Sequence, residues 1–331
     1  MKLRKFYKDG PEISCIGIGG MSFADAYGPT DEAASHHILD RAMEAGVTHI
    51  DTSNVYGNGK SENAIGSYLA DRGATAREFF HIATKAGITR DPDRPFDNSA
   101  GHLERELDGS LKRMGIECVD LFYVHRREVE RPIEEVTETL AGLVRAGKIR
   151  AFGFSEIAPS SLRRAAEVHP VAAVQSEYSL STRAPELGLL QACAELGTAL
   201  VAFSPVGRGL LTDDPIPAER VPDLFFLSTM PRFLGETYSA NLKISDGFRR
   251  LAAEMEIPAA GLAIAWLLSR GEHVIPIPGT RSVGHFDELL AGTTVSLSEG
   301  DLARIEAVLP VGWAHGDRYS DTQWRGPERF S

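Results

Sequence analysis

An eightfold alternation most constrains how this chain can fold. Short apolar runs, each followed by a polar turn and then by apolar residues at helical spacing, recur from residue 13 to residue 291. The runs lie at 13–18, 47–50, 80–84, 119–124, 150–154, 172–175, 199–203 and 274–277. Between them the spacing predicts helices from Asp31 to Gly46 and over 61–72, 98–114, 132–147, 159–167, 185–196, 241–255, 259–270 and 283–291. Eight buried strands linked by helical crossovers predict an α/β fold, a (β/α)8 TIM barrel rather than an open doubly wound sheet. A β-hairpin turning at Lys8-Asp9-Gly10 leads into the first strand.

No linker, repeat or low-complexity stretch interrupts the pattern, so residues 1–331 read as a single domain. Two segments fall outside the barrel repeat. Residues 208–240 are rich in Gly, Pro and Asp and carry Phe225-Phe-Leu227; a loop of this length is expected to wall or cover a binding site at the C-terminal face. The tail over 309–331 holds Trp313, Tyr319 and Trp324. It either folds across the barrel mouth or frays.

In such barrels the chemistry sits where strands end, at the C-terminal face. Asp51, Lys85 and His125 end the second, third and fourth strands, and adjacent strands lie about 4.8 Å apart. Three consecutive strand ends therefore gather these side chains, and Tyr56, five residues past Asp51, can reach back over them. The set has a chemical logic. A phenol titrates near about 10, so an ammonium beside it is needed to stabilise its anion. Asp51 would hold Lys85 protonated, and His125 could orient a carbonyl oxygen. Together they could protonate that oxygen while hydride arrives at its carbon. Each residue alone has an ordinary structural reading: Asp as a cap, Tyr as packing, Lys as solvated surface, His as a satisfied core residue. Their convergence is what points to catalysis.

The net charge of −11, with no basic block, argues against nucleic acid or an anionic membrane as partner. The N-terminus lacks a signal-type apolar run, and no stretch is apolar enough to span a bilayer. Cys15, Cys118 and Cys193 are too scattered for disulfides or zinc, and no metal site is expected. The reading is a cytoplasmic protein, a monomer or small homo-oligomer, with a small-molecule partner. Gly59-Lys-Ser61 mimics the end of a phosphate-binding loop but lacks its earlier glycine, and no G-x-G-x-x-G follows the first strand. His36-His37 lacks a third ligand at metal spacing.

Several stretches resemble the aldo-keto reductase family. They are His49-Ile-Asp-Thr-Ser-Asn-Val-Tyr-Gly-Asn-Gly-Lys-Ser-Glu62, Ile82-Ala-Thr-Lys85, Leu121-Phe-Tyr-Val-His125, Gly153-Phe-Ser-Glu156, Val174-Gln175, Val201-Ala-Phe-Ser-Pro205 and Pro276-Ile-Pro-Gly-Thr-Arg281. The Gly-Phe-Ser-Glu form is most like the bacterial and plant branch that includes perakine reductase. The resemblance implies NADPH/NADP+ as cofactor, reduction of aldehydes or ketones, and a tetrad of Asp51, Tyr56, Lys85 and His125 with Tyr56 as general acid. It implies that Ser155, Glu156 and Gln175 meet the nicotinamide carboxamide and that Phe203 stacks on the ring. Ser204, Pro205, Val206, Gly207, Arg208 and Gly209 would follow the pyrophosphate. Gly279, Thr280, Arg281, His285 and Glu288 would meet the adenosine end, with Arg281 on the 2′-phosphate. Met21, Phe23 and Tyr27 are the expected substrate-pocket residues.

Three positions depart from the family pattern. Glu156 stands for the commoner Asn, Phe203 for Tyr, and Leu289 for the Asn that often follows the adenine-side Glu. The alternative implied by the same resemblance is a non-catalytic NADPH-binding regulatory subunit similar to potassium-channel β subunits. An intact tetrad does not separate the two.

Overall fold

The computed structural model describes residues 1–224 and 226–331, so Phe225 lies outside the described residues. The chain opens with a two-stranded hairpin, β1 (Leu3–Lys5) and β2 (Glu12–Ser14). Eight parallel strands follow: β3 (Ile18–Gly19), β4 (His49–Asp51), β5 (His81–Ala86), β6 (Val119–Val124), β7 (Ile149–Ser155), β8 (Ala173–Glu177), β9 (Ala199–Phe203) and β10 (Val274–Ile277). They lie in one sheet in chain order. Gly17 N–H donates to Pro276 O at 2.9 Å and Gly19 N–H to Pro278 O at 2.8 Å, which joins the first edge to the last and closes the barrel.

The helices are α1 (Glu32–Ala45), α2 (Lys60–Arg72), α3 (Ala74–Phe79), α4 (Ala100–Met114), α5 (Ile133–Arg145), α6 (Pro159–Val168), α7 (Leu189–Leu196), α8 (Gly235–Glu254), α9 (Ala259–Leu268), α10 (Val283–Ala291) and α11 (Glu299–Val308). Their ends follow local chemistry. Asp31 caps α1 by accepting from Ala34 N–H, and Gly46 ends it with φ 75° in the left-handed region. Strand side chains alternate between two cores, as a pleat requires. In β6, Phe122 and Val124 pack outward against the helices, while Leu121 and Tyr123 fill the barrel interior. Alanines 83, 151, 173 and 199 share that interior, leaving room for the bulk of Phe6 and Tyr123.

Several boundaries differ from the sequence expectation. The run at 13–18 divides between the hairpin and the short β3. Lys85 lies inside β5, which continues to Ala86. The expected helix over 185–196 is broken at Gly188, where φ is 131°, and α8 begins at Gly235 rather than 241. Two short helices, α3 and α11, were not expected at all. A Ser298–Asp301 capping box marks the start of α11 and was readable at that spacing.

The hairpin closes the bottom of the barrel. Phe6 packs on His49 and His81, with ring centroids at 5.1 and 5.0 Å. Burial holds both imidazoles below their ordinary titration range, His81 down to about 3. The unfolded chain therefore takes up protons first as pH falls below 6.5, the ordinary value, and stability is lost progressively toward pH 3. Lowering the pH from 7.5 to 5 is expected to remove up to about 2 kcal/mol through His81. Urea unfolding of wild type and His81→Gln at the two pH values checks this. Equal pH dependence in both proteins would contradict it.

Candidate active site

A cleft of about 1070 Å³ opens at the carboxyl ends of the strands. Register explains why polar side chains meet there. Asp51 pairs with Ala83 across β4 and β5, and Lys85 is two residues further on. Lys85 pairs with Tyr123 across β5 and β6, and His125 is two residues beyond that. A shift of two per strand preserves the side-chain face, so barrel stagger carries all three inward to one place.

Lys85 is fully buried and forms an ion pair with Asp51, which is 1% exposed. Lys85 Nζ also donates to Thr52 O at 2.8 Å and reaches the Tyr56 hydroxyl at 3.4 Å. Burial pulls the ammonium down, but Asp51 and Tyr56 outweigh it and hold Lys85 above its ordinary value. Asp51 uses its second oxygen to accept from Gln175 Nε2 at 2.7 Å. Tyr56 begins a tight turn, Tyr56–Gly59, whose next three residues have φ of 56°, 55° and 91°. A β-carbon on Gly57 would come within 2.9 Å of Lys60 Cβ, so glycine is required there in both space and conformation. Burial raises the Tyr56 phenol above its ordinary value, and the nearby Lys85 and Arg126 only partly offset this. The sequence expectation had the lysine lowering it; the lysine does so, but burial prevails.

His125 faces Tyr56 edge-on with centroids at 5.8 Å, and its Nδ1 lies 3.1 Å from Ser53 Oγ. Burial, with Lys85 and Arg126 close by, keeps the imidazole neutral far below its usual pKa.

Asp51, Tyr56 and His125 line the cleft, and Lys85 lies beneath them. Of the expected cofactor residues, Ser155, Gln175, Phe203, Ser204, Pro205, Val206, Arg208 and Gly209 line one stretch. Gly279, Thr280, Arg281, His285 and Glu288 line the far end, joined by Leu289. Arg281 donates to Pro29 O and Tyr27 O at 2.7 and 2.8 Å and forms no direct ion pair among the described residues. Ser282 caps α10 beside it. Asp25 is near enough to feel the charge of Arg281, but a guanidinium bonded to carbonyls at a helix N-terminus is chemistry suited to a phosphate.

Four expected residues sit elsewhere or act differently. Gly207 is buried behind the cleft wall, where a β-carbon would meet Ser181 Oγ at 2.9 Å. Phe23 is 1% exposed in the core, while Met21 and Tyr27 do line the cleft. Glu156 does not face the cleft. Its carboxylate accepts from Glu177 N–H at 2.8 Å and from Ser331 Oγ at 3.2 Å, and it is ion-paired with Arg318. Arg208 does border the cleft, but Glu177 neutralises it at 2.6 Å.

The tail lies across the barrel mouth. Trp313 Nε1 donates to Leu180 O at 2.8 Å, Arg127 pairs with Glu328 at 3.0 Å, and Tyr319, Thr322 and Gln323 line the cleft. The segment after β9 forms the opposite wall through Thr212, Ile216, Leu224 and Phe226. Arg208 ties these parts together, its guanidinium carbon 5.0 Å from the Phe226 ring and 5.7 Å from that of Tyr319. Sequence reasoning missed Arg126, Glu177 and Arg318. Glu177 at a strand end and Arg126 next to His125 carried a positional signal; Arg318 carried none. Among the described residues no group of three or more His, Cys, Asp or Glu could hold a metal ion, and no single helix is long and apolar enough to cross a membrane.

The model of the aldo/keto reductase family matches residues 15–310. An aldo-keto reductase [NADP(+)] of Schizosaccharomyces pombe is 37% identical over 313 residues, covering 93% of this chain and 92% of that protein. A probable aldo-keto reductase of Glycine max is 37% identical over 330 residues, 99% of this chain and 93% of the other. Among solved structures, the glycerol dehydrogenase of Gluconobacter oxydans superposes with a TM-score of 0.79 at 26% identity, covering 93% and 94% of the two chains. The holo form of an aldo-keto reductase from Bacillus halodurans gives 0.77 at 23% identity over 98% and 99%, a likeness of fold.

Proposed function

This chain belongs to the aldo-keto reductase family, and we propose that it uses NADPH to reduce aldehyde or ketone groups to alcohols, with Tyr56 as the proton donor. The observation that carries this reading is the position of Lys85 Nζ, which touches both the Asp51 carboxylate and the Tyr56 hydroxyl at the floor of the cleft. The donor set fits the cofactor. Ser155, Gln175 and Phe203 stand at the reaction end, and Arg281 stands at the other beside the start of α10, with no direct ion pair among the described residues. NADPH, when bound, supplies the hydride.

The protein's own residues handle the oxygen. Tyr56, held protonated by burial, gives its proton to the oxygen as negative charge develops there. Lys85, held charged by Asp51, stabilises the phenolate that is left. In the tautomer in which Ser53 Oγ donates to Nδ1, neutral His125 carries its proton on Nε2, where it can donate to the substrate oxygen and orient it. Residues 1–331 act as one unit in this scheme, because the tail supplies part of the pocket wall. The three free cysteines are in keeping with a reducing, cytoplasmic setting.

The experiment is NADPH consumption with 4-nitrobenzaldehyde. Tight NADPH binding without turnover on any carbonyl tried would favour the regulatory-subunit reading. Arg281 gives a separate test of cofactor choice. Arg281→Ala is expected to weaken NADPH binding roughly 10- to 100-fold and NADH binding far less, since only NADPH presents a 2′-phosphate to the guanidinium. Fluorescence titration of both nucleotides checks it, and an equal loss for the two would contradict the assignment.

A further inference from the structure

Arg126 directly follows His125 and lines the same cleft, yet forms no ion pair among the described residues. Its Nη1 donates to His125 O at 2.8 Å and to Ser155 Oγ at 3.1 Å, and its Nη2 donates to Tyr319 OH at 3.2 Å. All three acceptors are neutral. A guanidinium has five N–H groups, so two remain without a protein acceptor among the described residues. The side chain is also held in place. A β-carbon at Gly326 would come within 2.8 Å of Arg126 Cδ, so the tail packs directly against the arginine stem.

The charges around it do not cancel. Asp51 answers Lys85. Glu156 and Glu177, with Asp317 acting on Arg232, balance the three guanidiniums of Arg208, Arg232 and Arg318. His125 is neutral, and Arg126 adds a further positive charge. The reaction end of a chain with net charge −11 is therefore locally positive. Beside it the cleft wall is apolar, formed by Met21, Val55, Ile88 and Phe96.

We infer that Arg126 selects carbonyl substrates that carry a carboxylate close to the reacting group on an apolar or aromatic body. A carboxylate can accept from the two free N–H groups while the carbonyl oxygen lies between Tyr56 and His125. Such a fixed fork recognises a carboxylate by geometry as well as charge. A neutral ester of the same shape leaves the guanidinium desolvated and unmatched.

This inference rests on the proposed carbonyl reduction, and the experiment separates the two. Steady-state rates with NADPH are measured for 3- and 4-formylbenzoate and for their methyl esters, in wild type, Arg126→Gln and Arg126→Lys. Wild type is expected to favour the better-placed carboxylate over its ester by roughly 10- to 100-fold in kcat/KM, mostly through KM. Arg126→Gln should bring that ratio close to one, and Arg126→Lys should retain part of it. Wild type turning over acids and esters equally would overturn the inference while leaving the reductase intact. So would a glutamine variant that slows both substrates by the same factor, because that result describes a brace for Tyr319 rather than a selector. No turnover of any of the four would overturn this inference, and it would overturn the reductase reading as well only if 4-nitrobenzaldehyde were also left unreduced.

Discussion

Replacing Tyr56 with Phe is expected to lower kcat by about 10²- to 10⁴-fold, the usual worth of a positioned general acid. NADPH affinity should stay nearly unchanged. The substitution removes one oxygen and little else. The ring keeps its edge contact with His125, and Lys85 keeps both Asp51 and the Thr52 carbonyl. Among the described residues the hydroxyl's hydrogen-bond partner is Lys85, at 3.4 Å, so fold stability should barely move. NADPH oxidation with 4-nitrobenzaldehyde, alongside fluorescence titration of NADPH, checks both halves. Full turnover in the variant would place the proton donor elsewhere. Loss of turnover together with loss of binding would mean that the turn at Tyr56–Gly59 had been disturbed.

Arg318→Met is expected to cost about 3–5 kcal/mol of stability, as removal of one partner from a buried ion pair does. Arg318 is 4% exposed, pairs with Glu156, which is fully buried, and approaches Glu177 at 3.8 Å. Burial alone would raise both carboxyls, but Arg318 holds Glu156 below its ordinary value, and Arg208 and Arg318 do the same for Glu177. The guanidinium carbon also lies 4.8 and 4.7 Å from the Tyr319 and Trp324 rings, so the loss reports on the ion pair and on these cation–π contacts together. The double variant Glu156→Gln with Arg318→Met should recover part of it, because no unmatched carboxylate remains at that pair. Urea unfolding of the three proteins decides. A single-variant loss under about 1 kcal/mol would show that the tail latch carries no more than a surface pair does.

The residues of the proposed reaction centre were legible because each belongs to a local pattern. Asp51, Lys85 and His125 close apolar runs of the right length, and strand ends in such barrels converge whatever the intervening helices are. Tyr56 was legible through the glycines that follow it. Glu156 shows where this kind of reading stops. The family resemblance puts it at the nicotinamide carboxamide, yet its φ of 57° turns it off the strand and its carboxylate into the protein. Phe23 and Gly207 failed likewise, since neighbours in sequence can face opposite sides of a loop that has no fixed period.

From the sequence alone came the barrel, because short-range periodicity and turn chemistry act over a few residues and repeat eight times. From it also came the strand-end polar cluster, because the pleat and stagger of parallel strands map sequence position onto space. Only the tertiary structure decided how charge is balanced around that cluster. Glu156 meets its counter-ion 162 residues further along, and Arg208 meets Glu177 from 31 residues away. Such partners are chosen by the path of the loops and the tail and by the cost of burying a lone charge. Neither leaves a signature in the local sequence, and so Arg126, without a direct ion pair among the described residues, became visible only once its neighbours had found theirs.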